Sequence, residues 1–552
     1  MSASRPGRTR LYRGGAIYSP ADPFAEAMLV VGETVAWLGS DEAAAAHVDA
    51  ADELIDLGGA LVTPAFVDAH AHTTETGLAL TGVDLTAASS VDAVLALVEA
   101  AARRGSEPIL GHGWDERHWP EGRPPTRSEL DRAAAGRQVY LARVDVHSAV
   151  VSTSLAQRHG LADLAGWSDS GWVQRDAHHA ARALTRQGLG PGERQRMHEV
   201  ALTAAAAAGI GCLHEMSAPH IAPTGDLGEL LALVEARRSQ PDSAALPDVV
   251  AYRGALAGDD TDVARLVAEL DLPPGNRLAG LAGDLCVDGS VGSHTAAMRS
   301  PYVDCDTHGH AYLSAAQVGD HVAACTRAGL QAGFHVIGDA GVDIVVDGLQ
   351  VAADVVGAPA LRGCRHRLEH VELIDAQSIA ALADLGVAAS VQPAFDAAWG
   401  GAHGMYAERL GHQRAMAMNP LADLSRAGVP LALGSDSPVT PFDPWAGVAS
   451  AVAHRNPAQR ISAKAAFLAH TRGGWRLAGR DGQGVLVPGA PASYAVWAAG
   501  ELVVQTPDER VRSWSTDPRS GTPGLPDVSG DRPRPRCLQT VIAGRVAHDV
   551  LR

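Results

Sequence analysis

Near the start of the chain, a β-branched apolar run leads into two histidines: Val62-Thr63-Pro64-Ala65-Phe66-Val67-Asp68-Ala69-His70-Ala71-His72. Side chains two residues apart on a strand point to the same side, so both imidazoles can reach one ion. Neutral imidazole is a common ligand of divalent metals. The pair therefore predicts a metal site at the end of a buried strand, with the missing ligands elsewhere in the chain.

The long middle of the chain alternates between two kinds of segment. From residue 64 to about 480, short apolar or β-branched runs are followed by helical stretches rich in Ala, Leu and Arg. Repeated strand–helix alternation predicts a parallel sheet, and over this length it favours an α/β fold of the (β/α)8 barrel type. Residues 85–195 exceed what one strand–helix unit needs, so we expect an insertion there.

Both ends of the chain have a different pattern, with short strand-like runs separated by turns. Such spacing is typical of small β units. We expect residues 1–63 and 482–552 to form one small β domain together. The barrel domain would then span residues 64–481.

Further ligand-type residues stand where other strand-like runs end. His335 follows Gly333-Phe334, His370 closes the run from Arg367, and Asp436 comes directly after Leu431-Ala432-Leu433-Gly434-Ser435. A fourth run, Gly209 to Met216, presents His214 and Glu215. Barrel enzymes place catalytic groups at the C-terminal ends of their strands, so these side chains should converge.

The order of these motifs resembles the amidohydrolase superfamily, and specifically its amidohydrolase-3 branch of YtcJ-like and N-substituted-formamide-deformylase-like proteins. The matching stretches are Pro64 to His72, Gly111-His112-Gly113-Trp114-Asp115, Arg143-Val144-Asp145-Val146-His147, Asp288 to Ser293, His335 to Asp339, Arg367 to His370 and Gly434 to Pro438. The resemblance implies a distorted (β/α)8 TIM barrel with a small composite β-sandwich formed by both termini. It also implies hydrolysis of a C–N bond, in an amide, an N-acyl compound or a formamide, by metal-activated water.

The resemblance further implies a role for each ligand. His70 and His72 hold the more buried metal, His335 and His370 bind a second metal or steer the substrate, and Asp436 is both metal ligand and general base. The residue types suit a divalent metal, with zinc the first choice, at one or two ions per chain. A histidine such as His370, or the metal, would polarise the scissile carbonyl.

The chain departs from the superfamily pattern at one position. Many members bridge two metals with a carboxylated lysine, which in the related branch lies four residues before the Asp-Gly-Ser motif. Here that position is Asp284, and Lys464, the only lysine, lies in a helical segment after the eighth strand. No carboxylated lysine can therefore form the bridge. We favour Glu215, on the predicted third strand, as its replacement, with the shorter Asp284 as the fallback; a site with one metal would use neither.

Other residues are candidates for contact with the substrate. Trp114 and Asp115 are predicted on the first substrate-facing loop, and His294 is predicted to face the cleft. Asp145 and His147 are further candidates. Loops of this kind set the specificity of barrel enzymes. Deamination, cyclic amide opening and ester hydrolysis therefore stay open as alternatives, as does a metal-binding protein that has lost catalysis.

The composition limits the kinds of partner that the protein can bind. A net charge of −18 without a basic stripe argues against nucleic acid and anionic membranes, because both need a basic surface. The sequence has no apolar span of about 18 residues, and its start lacks the apolar core of a secretory signal. We expect a cytoplasmic enzyme that acts on a small molecule, and a homo-oligomer is compatible with the sequence.

Overall fold

The computed structural model describes residues 8–106, 108–158, 160–240, 243–505, 514–515, 523–530 and 532–551. The strands in these residues are β1 (Thr9–Arg13), β2 (Ala16–Ile17), β3 (Ala27–Val31), β4 (Thr34–Gly39), β5 (Glu53–Asp56), β6 (Leu61–Pro64), β7 (Phe66–Ala71), β8 (Val83–Asp84), β9 (Ile109–Trp114), β10 (Val139–Arg143), β11 (Ser148–Val151), β12 (Trp172–Gln174), β13 (Ile210–Ser217), β14 (Asp248–Arg253), β15 (Leu278–Leu281), β16 (Gln331–Val336), β17 (Arg367–His370), β18 (Ala388–Val391), β19 (Leu431–Leu433), β20 (Tyr494–Ala498), β21 (Leu502–Gln505), β22 (Trp514–Ser515), β23 (Leu525–Pro526), β24 (Arg536–Ile542) and β25 (Arg545–Asp549). The α-helices are α1 (Asp41–Ala44), α2 (Thr73–Thr81), α3 (Val91–Arg103), α4 (Arg127–Ala133), α5 (Thr153–Arg158), α6 (Arg175–Gln187), α7 (Pro191–Ala207), α8 (Asp226–Arg238), α9 (Asp260–Glu269), α10 (Ala315–Ala328), α11 (Asp339–Val356), α12 (Ala358–Cys364), α13 (Ala376–Leu385), α14 (Pro393–Trp399), α15 (Met405–Leu410), α16 (His412–Ala415), α17 (Leu421–Arg426), α18 (Pro444–Val452), α19 (Ala463–Leu468) and α20 (Gly474–Leu477).

Eight parallel strands form the central sheet, in the order β7–β13–β14–β15–β16–β17–β18–β19. Its two edges meet beyond β19, where Asp436 N–H donates to His70 O at 2.8 Å and His72 N–H donates to Ser437 O at 3.0 Å. Every residue of β7, β13 and β16 is buried, as expected for strands packed on both faces. The predicted (β/α)8 barrel is confirmed.

Helices that precede barrel strands end at defined signals. Helix α10 begins with a capping box between Ser314 and Gln317 and ends at Gly329, whose φ of +68° suits glycine. That end lets the chain turn directly into β16, which carries His335. Within the described residues no single helix has the length and apolar composition to cross a membrane; α11 and α12 reach them only as a pair, bent by 114°.

Strands from the two ends of the chain share sheets and a core. One sheet has the order β2–β6–β20–β24–β25, and β20 pairs antiparallel with both β6 and β24. A second sheet, β4–β3–β1–β5, comes from the N-terminal segment. Tyr12, Met28, Val62, Tyr494 and Val541 are fully buried in one cluster between them. The predicted composite β unit of both termini is confirmed.

The expected insertion contains a sheet of its own. Strands β8 to β12 form a five-stranded sheet in the order β12–β11–β10–β9–β8, between the barrel strands β7 and β13. Because these five strands do not enter the barrel, β13 pairs directly with β7. Glu215 therefore lies on the second barrel strand, and its predicted place on the third strand is wrong.

Candidate metal centre

Four histidines and two aspartates meet at the C-terminal ends of the barrel strands. His70 and His72 come from the end of β7 and the residue after it, and the others are Asp284 after β15, His335 in β16, His370 at the end of β17 and Asp436 after β19. They form three overlapping groups whose ligand atoms all lie within 4.8 Å of one another: His70, His72 and Asp284; His70, His370 and Asp436; Asp284, His335 and His370. The structure thus brings together His70, His72, His335, His370 and Asp436 as predicted. Among the described residues His214 belongs to none of the three groups, and its Nδ1 lies 3.0 Å from Arg367 Nη1.

Four distances around the first histidine pair have the size that a shared ion requires. His70 Nε2 lies 3.4 Å from Asp284 Oδ1 and 3.4 Å from Asp436 Oδ1. His72 Nε2 lies 3.3 Å from Asp284 Oδ2 and 3.2 Å from Asp436 Oδ1. Two ligands about 2.0–2.1 Å from a tetrahedral zinc ion are separated by about 3.3–3.4 Å. Each of these four histidine–aspartate separations therefore matches that of two ligands on one tetrahedral ion.

The second histidine pair lies on the other side of Asp284. His335 Nδ1 is 3.8 Å from Asp284 Oδ1, and the rings of His335 and His370 have their centroids 4.5 Å apart. Asp284 Oδ1 and His370 Nε2 are buried without a hydrogen-bond partner. Leaving such an atom unsatisfied costs about 1–3 kcal/mol. A second cation held by these residues would satisfy both atoms.

Three ligand histidines use one ring nitrogen for a hydrogen bond to a residue outside the cluster. The other ring nitrogen of each is directed at the cluster. His70 Nδ1 lies 2.9 Å from Glu369 Oε2, and His370 Nδ1 lies 2.8 Å from Gln392 Oε1. His335 Nε2 lies 3.3 Å from Gly289 O. Because carboxylates and carbonyl oxygens accept hydrogen bonds, each ring donates outward and turns the lone pair of its other nitrogen inward.

Arg367 holds Glu369 in its ionised form behind His70. The Arg367 guanidinium donates to both oxygens of Glu369 and, at 2.7 Å, to Ala69 O. Burial raises the pKa of Glu369, but Arg367 and His70 outweigh burial and lower that pKa to about 2. Arg367 also lies 4.6 Å from the ring centroid of Tyr252. The charge behind His70 is therefore fixed and neutralised inside the barrel.

Two ligands sit at unusual backbone angles. His370 has φ +70° and Asp436 has φ +55°, both in the left-handed region that non-glycine residues rarely adopt. Conformations of this kind concentrate at functional sites, where the surrounding structure imposes them. The turn at Asp436 is held by a hydrogen bond in which Asp68 Oδ1 accepts from Ser435 N at 2.9 Å.

The four residues after His72 anchor the metal-binding strand to four different parts of the fold. Their contacts are Thr73 with Glu215, Thr74 with Asp226 and His198, Glu75 with Arg186, and Thr76 with Ser437. These contacts are buried. They fix the first turn of α2, and with it the position of His72. This role was not predicted from the sequence, although the run Thr73-Thr74-Glu75-Thr76 directly after the histidine pair is an unusually polar start for a buried helix.

Glu215 takes part in this anchor and not in the ligand cluster. Its Oε2 accepts from Thr73 N at 2.7 Å and from Thr73 Oγ1. Among the described residues Glu215 belongs to none of the three ligand groups, whereas Asp284 belongs to two. In the structure Thr73 holds Glu215, whereas the loop after β15 carries the shorter Asp284 between the two histidine pairs.

A cavity lies beside the cluster, with about 340 Å³ of empty space when the part open to solvent is included. Its polar lining includes His335, His370 and Asp436 from the cluster, together with Asp145 and His147 from the insertion. The ring centroids of His147 and His335 lie 5.0 Å apart. Burial raises the pKa of Asp436, but the neighbouring histidines outweigh burial and lower it. Asp436 is thus an ionised carboxylate in contact with both the ligand cluster and the cavity.

The other three predicted substrate contacts lie elsewhere. Trp114 is fully buried in the core of the insertion and donates from Nε1 to Leu141 O at 2.8 Å. Asp115 caps a short 3-10 helix and pairs with Arg117 and Arg143. His294 pairs with Asp304 at 3.0 Å. None of the three lines the cavity described above.

Asp145 joins the insertion to the barrel. Its Oδ2 accepts from Ser290 Oγ at 2.8 Å and from Ser293 Oγ at 2.7 Å, both in the loop after β15. Arg143 Nη1 lies 3.2 Å from the same oxygen. These contacts attach the insertion to the Asp-Gly-Ser motif that carries Ser290. They also place His147 next to the ligand cluster.

The residues that close the cavity on its other side were not predicted from the sequence. Glu372 follows His370 by two residues and accepts a hydrogen bond from the Tyr406 hydroxyl. Burial raises the pKa of Glu372 to about 7. Phe395 and Trp399 on α14 and Met405 on α15 complete this wall. Only Glu372 had a signal, its nearness to the His370 motif, because α14 and α15 follow a different barrel strand.

A (β/α)8 barrel with a His-x-His strand, two further histidines and an aspartate after the eighth strand defines a class of metal-dependent hydrolases. The chain belongs to the amidohydrolase family, whose family profile matches residues 53–548. It is therefore an amidohydrolase enzyme, and the predicted family is confirmed.

Individual relatives agree with this assignment. The chain is 26% identical over 419 residues to YtcJ of Bacillus subtilis (strain 168), covering 73% of this chain and 75% of YtcJ. It is 25% identical over 495 residues to N-substituted formamide deformylase of Arthrobacter pascens, covering 83% of this chain and 87% of that enzyme. The crystal structure of an uncharacterized metal-dependent hydrolase from Pyrococcus furiosus has a TM-score of 0.68 and 28% identity, covering 88% of this chain and 98% of that one.

Proposed function

We propose that the protein is a zinc-dependent hydrolase that cleaves the C–N bond of a linear amide, an N-acyl compound or a formamide. The observation that carries the proposal is the position of Asp436, which belongs to a ligand group and also lines the cavity. The similarity to an N-substituted formamide deformylase supports the choice of bond.

We assign two ions to the cluster. His70, His72 and Asp436 would hold the more buried one, His335 and His370 the other, and Asp284 would be shared. The predominance of imidazole and carboxylate ligands suits zinc. A zinc ion held there would lower the pKa of water to about 7 and polarise a carbonyl oxygen.

The protein's own residues supply the proton transfers. Asp436 is ionised, so it can accept a proton from the attacking water while the water oxygen adds to the carbonyl carbon. When the C–N bond breaks, the same proton passes from Asp436 to the leaving nitrogen. The products are a carboxylic acid, or formic acid from a formamide, and an amine. His370 acts as a ligand and not as a proton donor, because its one N–H is directed at Gln392.

The test uses protein loaded with zinc and a panel of linear amides and formamides, with amine release as the readout. We expect turnover by the wild type, loss of turnover with a chelator, and recovery when zinc is added. Asp436→Asn should lower kcat by about 100-fold to 10,000-fold, the range for loss of a general base. Full zinc occupancy without turnover on this panel, or release of ammonia or alcohol from other substrates instead, would contradict the proposal.

A further inference from the structure

A second cavity lies beside the loop after β19 and shares no lining residue with the cavity at the ligand cluster. It has about 580 Å³ of empty space when the part open to solvent is included. Its lining includes Asp68 of β7, much of the segment 434–447, His470 and Arg534. We call it the Asp68 cavity, and the residues that line it are separate from the metal ligands.

Asp68 has one carboxylate oxygen that is satisfied and one that is not. Oδ1 accepts from Ser435 N at 2.9 Å and from His70 N at 3.2 Å. Oδ2 is buried without a hydrogen-bond partner among the described residues, and the side chain is only 1% exposed. Because burying an unpaired polar atom is unfavourable, this oxygen calls for a donor from outside the chain.

His470 provides a second acceptor in the same cavity. Its Nδ1 lies 3.0 Å from Val67 O, which can only accept, so Nδ1 carries the proton and Nε2 the lone pair. Burial lowers the pKa of His470, which keeps the ring neutral. Nε2 faces Gly447, where an added Cβ would lie 3.3 Å from it. His470 also lies in a π-helical turn, Ala469–Gly473, a feature that is frequent at functional sites.

The charges around the cavity leave Asp68 as the unmatched group. Among the described residues of the lining Arg534 is the one cation, and its Nη1 lies 2.8 Å from Asp443 Oδ2 at the half-exposed rim. Asp443 Oδ1 accepts from Ala446 N at 2.9 Å and caps α18. No lining residue belongs to a described group of three metal-ligand atoms. A ligand with one positive charge and several N–H donors therefore fits better than a divalent metal.

We propose that the Asp68 cavity binds an ammonium group, either the ammonium ion or the head of a small primary amine. Its N–H groups would donate to Asp68 Oδ2 and His470 Nε2. Because Asp68 Oδ1 accepts from the backbone of His70 and of Ser435, the bound cation would stabilise both β7 and the turn before Asp436. This proposal does not depend on which bond the ligand cluster cleaves.

The experiment compares the Tm of the zinc-loaded protein in four chloride salts at equal ionic strength: ammonium, ethylammonium, potassium and tetramethylammonium. Potassium and tetramethylammonium carry the same charge without N–H donors. We expect a saturating rise in Tm of about 1–3 °C in ammonium or ethylammonium relative to tetramethylammonium. The salt that saturates at the lower concentration identifies the free ion or the amine as the ligand. Equal Tm values in all four salts would mean that a proton or a water satisfies Asp68 and would overturn the proposal, as would an equal rise in potassium.

Two substitutions test the location of the site. Gly447→Ala places a methyl group against His470 Nε2. Asp68→Asn keeps an oxygen for the two backbone N–H groups but removes the charge. Both variants should lose the difference in Tm between ammonium and tetramethylammonium, and a difference that persists in either would overturn the assignment.

Gly363→Ala is the matched control, because this glycine lies in α12 and an added Cβ there meets no atom within 4 Å. It should keep the wild-type difference between the salts. A general loss of stability lowers the Tm in every salt alike, so the difference between salts separates a weakened fold from a lost site.

Discussion

The ligand cluster at the barrel mouth and the ion pairs behind it both bury charged side chains, but they differ in how those charges are matched. In the cluster, His70 Nε2, His370 Nε2 and Asp284 Oδ1 are buried without a hydrogen-bond partner. Behind it, Glu75 receives Arg186 at 2.6 Å on each of its oxygens. Both regions touch the same short stretch after β7, so the contrast does not come from depth alone.

This contrast separates buried polar groups that take part in chemistry from buried polar groups that support the fold. A buried ion pair is satisfied within the protein and holds elements together. A group of buried ligand atoms that lack partners, all aimed at one point, is unfavourable until a cation joins it. The ligand cluster, whose buried atoms lack partners, is therefore the site. The ion pairs behind it hold the site in place.

The largest expected effect is on metal content. Asp284→Asn should lose one of the two zinc equivalents that we propose, because Asp284 lies between the two histidine pairs. Elemental analysis of purified protein against protein concentration measures it. We expect turnover on the amide panel to fall with the lost ion.

Glu215→Gln is the matched variant, since it changes the other buried carboxylate that could bridge. Gln keeps an oxygen that can accept from Thr73, so we expect both zinc equivalents to remain. The reverse pattern, with metal lost in Glu215→Gln and kept in Asp284→Asn, would return the bridge to Glu215.

The next effect is on stability. Glu75→Gln removes the charge that Arg182 and Arg186 share, and breaking a buried pair in this way costs about 3–5 kcal/mol. Burial raises the pKa of Glu75, but Arg182 and Arg186 outweigh it and lower the pKa from 4.5 to about 2. The ion pair therefore stabilises the fold above pH 4.5, and its contribution is lost as the pH falls towards 2.

Urea unfolding of wild type and variant at several pH values measures this effect. The difference between the two proteins should be full at neutral pH and shrink in acid. Asp262→Asn, in an exposed pair with Arg265, is the control and should not change the unfolding midpoint. A difference between wild type and Glu75→Gln that persists unchanged at the lowest pH would show that the cost is not electrostatic.

Much of the fold and of the ligand set could be predicted because both leave local patterns. A histidine pair at strand spacing and ligand residues directly after apolar runs are visible in the sequence, and barrel topology then brings them together. The choice between Asp284 and Glu215 left no such pattern. It depends on which carboxylate accepts the hydrogen bonds from Thr73 and on the path of the loop after β15. Both are set by tertiary packing. Trp114 likewise sits in a matching motif, yet its side chain packs inward.

A smaller effect, on metal affinity, is expected from Glu369, which contacts the ligand His70. Glu369→Gln keeps an acceptor for His70 but removes the negative charge that supports its basicity. Loss of a carboxylate behind a ligand histidine usually costs about 10–100-fold in metal affinity. Competition with a zinc chelator of known affinity measures the change. Unchanged affinity would mean that the hydrogen-bond acceptor at this position supports His70 and that the charge of Glu369 does not.

The smallest effect concerns the insertion and tests whether Trp114 is structural. Trp114→Phe keeps most of the ring in the core but removes the hydrogen bond to Leu141 O, which should cost about 1 kcal/mol in the free energy of unfolding. Because Trp114 lies outside the cavity, kcat/KM on the amide panel should stay within about twofold of wild type. A large fall in kcat/KM at unchanged stability would instead place Trp114 at the substrate, as its motif predicts, and would require the insertion to move when substrate binds.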